Sequence, residues 1–243
     1  MAGPENHAFL QFEENNPALA RLAAIRHKAL EPARTISWTT LQALGVKERA
    51  KTFLPRAWQR LFAIQQPQYR DLAIRFRLGG HDHHLSVAQL GLRMGIYTEA
   101  EVQRRFRRAL KQIPNDTATA FWHEIGEGPY NPTVTKATHL RDPFHRYFHR
   151  VLTHTISGWG EGTAVCTLKD LFFLYCLVHQ KRCNLAYALA LFFTTCTGSR
   201  VASRICGGSY ITQLARSFEA HTLLLTLLCP IAPRPLINQC WCA

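Results

Sequence analysis

The chain has 243 residues, 47% of them hydrophobic and 19% charged, and carries a formal net charge of +13. This composition excludes an intrinsically disordered protein, and a chain of this length buries roughly 70–75% of its unfolded surface, so it folds without disulfide or metal staples. The positive excess, 29 Lys and Arg against 16 Asp and Glu, is spread over both halves and favours polyanionic partners such as DNA or RNA.

Residues 1–15 show no apolar period and read as disordered. "NPALARLAAIRHKAL" then has Asn16 as a cap and Pro17 at the first helical position. Further helices are predicted in "SWTTLQALGV", ending near Gly45, and in "PRAWQRLFAIQ" after Pro55. The period changes in "LAIRFRLGGHDHHLSVAQLGLRMGIY", where Leu72, Ile74, Phe76 and Leu78 alternate with Ala73, Arg75 and Arg77. Gly79-Gly80 turns the chain, a short return strand runs near His84–Leu85, and a helix starts about Ser86.

Thr98 and Glu101 have the spacing of a capping box. The helix predicted behind them, in "EAEVQRRFRRALKQI" from Glu99 past Gln112, has Val102, Phe106, Ala109, Leu110 and Ile113 on one face. Arg104, Arg107, Arg108 and Lys111 gather on the other. The Gly- and Pro-rich "GEGPYNPT" reads as a loop around Trp122 and a subdomain boundary.

Three helices with clear starts follow. Asp142 caps one, with Pro143 at its first position, and Phe144, Phe148, Val151 and Leu152 form its core face. Thr167 with Asp170 opens "LKDLFFLYCLVHQ", and Asn184 opens "LAYALALFFTTCTG". The last two read as a buried hairpin. "SYITQLARSFEA" makes one more helix after Gly207-Gly208. The expected fold class is therefore mainly α, a helical domain with one small β-hairpin. The expected division is an N-terminal tail with a short helix over 1–33, a helical domain over 34–220, and an apolar, proline-broken tail over 221–243.

His145 and His149 are four apart on one helix and could share a metal ion. The zincin pattern places a glutamate after the first histidine as general base, and here Arg146 stands there. Both histidines flank the apolar stripe beside a basic, solvated face, so no metal is expected on them. The "HDHH" of His81, His83 and His84 reads as a solvated hairpin tip. All eight cysteines lie after residue 165, and the N-terminus shows no signal peptide. Free thiols and an intracellular, nuclear or cytoplasmic location are expected. No stretch reaches the ~20 apolar residues of a membrane span, so no membrane partner is expected.

No nucleophile elbow, P-loop or dinucleotide fingerprint is present, and no cofactor is expected. Basic-aromatic interleaving stands out instead, in "RRFRRALK" and "FHRYFHR". Single-strand binders combine cationic grooves with stacking rings. The helical spacing assigns Phe106, Phe144 and Phe148 to the core and leaves the arginines for phosphate. The candidate nucleic-acid contacts are Arg104, Arg107, Arg108, Lys111, Arg146 and Arg150. A metal-dependent nuclease or transposase-like enzyme, and a degenerate domain without activity, are the alternatives.

The segments "LSVAQLGLRMGIYTEAEV", "TKATHLRDPFHRYFHRVLTHTISGWGEGTAVCTLKDLFFLYCLVHQKRCNLAYALALFFTT" and "GGSYITQLARSF", in that order, resemble plant transposon proteins. Among these is the first-open-reading-frame family of Athila-type LTR retrotransposons. The resemblance implies a plant genomic origin and a mobile-element context. It supplies no catalytic residues, and the chain shows no protease "D-[ST]-G", polymerase "Y-x-D-D" or zinc-knuckle motif. The expectation is a non-enzymatic, basic nucleic-acid-binding or assembly domain, with DNA or RNA as partner through non-specific phosphate contacts, and self-association as a second expectation.

Overall fold

Most helices begin where the sequence supplies an acceptor or a proline for the first turn. The computed structural model describes residues 19, 22–23, 28–31, 33–69, 73, 85–157, 164–197, 204–205, 207–218 and 234–235. Short strands β1 (Ala29–Leu30) and β2 (Arg34–Thr35) come first. The Ser37 side chain accepts from Thr40 N–H and opens α1 (Trp38–Ala43). Helices α2 (Lys47–Phe53) and α3 (Arg56–Phe62) follow, the latter behind Pro55. Reciprocal capping boxes, Ser86 with Gln89 and Thr98 with Glu101, start α4 (Val87–Arg93) and α5 (Glu99–Arg105). Next is α6 (Asn115–Ile125).

Asp142 accepts from Phe144 N–H at 2.8 Å to cap α7 (Pro143–Thr153). Thr167 and Asp170 box the start of α8 (Leu168–Val178). Asn184 accepts from Tyr187 N–H at 3.0 Å as α9 (Leu185–Thr197) begins. The last elements are β3 (Arg204–Ile205), α10 (Gly208–Ser217) and β4 (Arg234–Pro235). The fold is mainly α-helical, as the periodicity predicts. β1 pairs in parallel with β3 and β2 with β4, two residues each.

The core centres on α8, which buries Asp170 through Leu174 together with Cys176 and Leu177. It packs against α6 and α7. From α7 come Phe144, Phe148, Val151 and Leu152, none more than 1% exposed, so the predicted apolar face is the buried one. From α6 come Ala118, Phe121, Trp122 and Ile125. Helix α9 packs against α4. A Cβ placed on Gly91 of α4 would meet the Tyr97 ring at 2.6 Å and the Ala186 Cβ at 3.1 Å. The Tyr97 ring is held, since its hydroxyl donates to Cys183 O at 3.1 Å and accepts from Leu185 N–H at 2.8 Å. Gly91→Ala should therefore lose stability by up to about 2 kcal/mol, overpacking of about 1–3 outweighing a helix-propensity gain of about 1. Chemical denaturation checks this, and an unchanged or raised midpoint would contradict it.

Four expectations need correction or limits. Trp122 does not sit in a loop: it is fully buried within α6, whose 118/121/122/125 spacing is a helical stripe. The helix from Glu99 ends at Arg105 rather than past Gln112 and passes into a 3₁₀ turn, Phe106–Arg108. Of the predicted strand 72–78, Ala73 is helical, buried, and donates its N–H to Tyr69 O; Leu85, at the predicted return strand, is not in a strand, while the rest of the hairpin and "HDHH" lie outside the described residues. Finally, His149 is not beside solvent but 2% exposed.

Candidate nucleic-acid interface

Two backbone hydrogen bonds bring a basic surface together. Past the 3₁₀ turn, Leu110 N–H donates to Arg182 O at 2.7 Å, and Asn184 N–H donates to Leu110 O at 2.8 Å. This parallel bridge between Leu110 and Cys183 fixes the 104–111 segment against the turn that joins α8 to α9. Arg104, Arg108 and Lys111 are exposed on one side of the bridge, and Lys181 and Arg182 on the other. Arg56, exposed in the first turn of α3, lines the same cleft as Lys181 and Arg182. None of these six forms an ion pair with a described carboxylate. The Lys111 ammonium lies 4.9 Å from the Tyr187 ring centre. The Arg107 side chain lies outside the described residues.

Acid at this surface is largely neutralised. Glu101 is bound by Arg60 and accepts from Thr98 N–H at 2.8 Å. Burial pushes its carboxyl up, but Arg60 and Thr98 outweigh that and hold it below the usual value. Glu99 remains exposed in the first turn of α5.

Arg146 and Arg150 differ from this set. Both sit half-buried on α7. Arg146 leans its Nη1 toward Thr138 O at 3.4 Å, so it is partly committed to its own surface. They are weaker phosphate candidates than the exposed cations at the Leu110–Cys183 bridge. Sequence reasoning misses Lys181, Arg182 and Arg56. The available signal is the "QKRC" turn between two apolar helices, whose proximity to "RRALK" depends on a long-range bridge.

The histidine pair is divided by packing. The His145 ring stacks on Phe53 with centroids 6.0 Å apart, and burial pulls it below its ordinary pKa. The His149 Nε2 stands 3.7 Å from Asp170 Oδ2, too long for a hydrogen bond. Asp170 accepts from Ser157 Oγ at 2.7 Å and from Thr167 Oγ1 at 2.6 Å. Ser157 thus bonds the acid instead of a histidine, which is not the connectivity of a nucleophilic triad. Ser157, Asp170 and His149 are all buried, and this network ties α7 to α8. Among the described residues no group of three or more His, Cys, Asp or Glu converges on a point. Cys166, Cys176 and Cys183 are buried free thiols, and burial pushes Cys166 and Cys183 up, away from a reactive thiolate. No described helix is long and apolar enough to cross a membrane.

Neither a curated protein nor a solved structure matches the chain. Residues 67–178 match the model of the ATHILA ORF-1 family. The matched span contains α4 to α8 and the 104–111 cations, and it ends just before Lys181 and Arg182. Over this segment the chain is similar to the ATHILA ORF-1 family, the family its sequence resembles.

Proposed function

We propose that this retrotransposon-derived chain, of plant origin, is a nucleic-acid-binding domain that grips phosphates through the basic surface at the Leu110–Cys183 bridge. The observation that carries the reading is that Arg56, Arg104, Arg108, Lys111, Lys181 and Arg182 make no ion pair with any described carboxylate. Cations without a paired acid attract a polyanion and release its counterions. Phosphate contacts carry no base information, so binding should depend strongly on salt and weakly on duplex sequence.

A salt series on duplex DNA tests this. Replacing Arg104, Arg107, Arg108 and Lys111 by Ala should flatten the log–log salt slope by up to about three or four units. Replacing Lys181 and Arg182 by Ala should flatten it by up to about two more. Absence of wild-type binding at low salt, or an unchanged slope in both folded variants, rejects the reading.

A further inference from the structure

The basic surface opens into a cavity of about 310 Å³. Pro55, Ala57, Tyr97, Phe106 and Ala109 line it together with the cations Arg56, Lys181 and Arg182. Phe106 is the ring the helical period assigns to the core, yet it is only half-buried and faces this cavity. It meets the Tyr97 ring edge-on, with centroids 5.7 Å apart and planes at 86°. The Tyr97 hydroxyl is already committed to Cys183 O and Leu185 N–H, so that ring forms a fixed wall. The one carboxylate in the lining, Glu101, is held by Arg60 and Thr98 and does not face a phosphate as a free acid.

We infer that this cavity receives an unpaired nucleobase, with Phe106 as its stacking ring and Arg56, Lys181 and Arg182 on the flanking phosphates. The inference rests on the nucleic-acid reading above and makes it specific: the preferred ligand is a single strand. Three features select that occupant. The volume is at the lower end of ligand pockets, of nucleotide size. An apolar slot beside an available aromatic ring suits the face of any base, so binding should show little sequence preference. The cations at the edge, with no acid paired to them, match a phosphodiester on either side of the base. A base stacked within a duplex does not enter such a slot without leaving its helix, at a cost in stacking and pairing.

The test measures the full-length protein by anisotropy at low salt against three labelled probes of equal length. These are a mixed-sequence single strand, the corresponding duplex, and a single strand of abasic sites. The base-bearing strand should bind roughly tenfold more tightly than the abasic one, a gap set by stacking of one base. Phe106→Ala should remove most of that gap and leave duplex binding unchanged, and Phe106→Tyr should restore it. Because Phe106→Ala also trims a half-buried ring, Ala109→Phe serves as the second variant: it fills the cavity without deleting a contact and should abolish the gap as well. Equal binding of base-bearing and abasic strands by wild type overturns the cavity assignment and leaves the basic-surface reading standing. Failure to bind any of the three probes overturns both. Displacement of the strand by a nucleoside monophosphate at the strand's own affinity overturns the strand as occupant, in favour of a free nucleotide.

Discussion

Asp170→Ala should destabilise the protein by about 3–5 kcal/mol, the usual cost of breaking a buried charged network from one side. The carboxylate is fully buried where α8 begins. It accepts from Ser157 Oγ at 2.7 Å, Thr167 Oγ1 at 2.6 Å and Thr167 N–H at 3.0 Å, with His149 Nε2 nearby at 3.7 Å. Alanine would strand these donors away from water, each at a cost of about 1–3 kcal/mol if unsatisfied. It would also remove the capping box of the helix on which α6 and α7 pack. Asp170→Asn keeps the shape but turns an amide NH₂ toward donors, so it should recover less than half of the loss. Urea unfolding of both variants checks this, and a loss under about 1 kcal/mol for Asp170→Ala would rule the network out as a structural tie.

The same group sets an acid limit. Burial raises the Asp170 carboxyl, but His149, Thr167 and Ser157 outweigh it and hold it below its ordinary value. A depressed folded-state acid contributes stability that is present above the unfolded value, about 3.9, and is lost as pH falls through the folded value. His145 and His154, both held down by burial, add an earlier loss beginning near their unfolded value of about 6.5. Urea midpoints measured from about pH 7 to about pH 3 should therefore fall in two stages, one below about pH 6.5 and one below about pH 4. The second stage should shrink in Asp170→Asn.

What the sequence reveals is local. Caps depend on residues two or three apart, so Thr98–Glu101, Asp142–Phe144 and Thr167–Asp170 are legible in the residues alone. Faces depend on a period, so the buried stripe of α7 is legible too. Trp122 is lost because the Gly- and Pro-rich stretch after Ile125 draws its neighbours into a loop, although 118, 121, 122 and 125 already have helical spacing. The end of α5 is hidden for a different reason. Leu110 leaves the helix to pair with Cys183, a contact across more than seventy residues that no periodicity shows. The candidate site follows the same rule. Arg104, Arg108 and Lys111 are legible as a charged face, whereas their union with Lys181, Arg182 and Arg56 is a product of tertiary pairing. Phe106 illustrates the cost of reading burial from period alone, since the helix stops one residue before it and turns the ring toward the cleft.

Phe148→Ala should cost about 3–5 kcal/mol, as for other large-to-small changes of buried aromatics. Phe148 is 0% exposed and lies where α2 meets α7. Its ring centre is 4.8 Å from that of Phe53 on α2, and 4.9 Å and 5.4 Å from Phe144 and Tyr147 on its own helix. The Phe53 ring in turn packs edge-on against Phe144 at 5.0 Å, so one truncation opens a gap in a four-ring cluster and exposes several partners at once. Rings fixed by one another cannot easily collapse into the space, which places the loss toward the upper part of that range. For a chain of this length it corresponds to a fall of roughly 6–20 °C in Tm. Phe148→Leu keeps most of the volume and should cost under about 1.5 kcal/mol. Val134→Ala, at a side chain 64% exposed, should stay within about 0.5 kcal/mol and serves as the surface control. Thermal unfolding followed by circular dichroism distinguishes these three values. If Phe148→Ala melts with the control, the aromatic cluster is not what fastens α2 to α7.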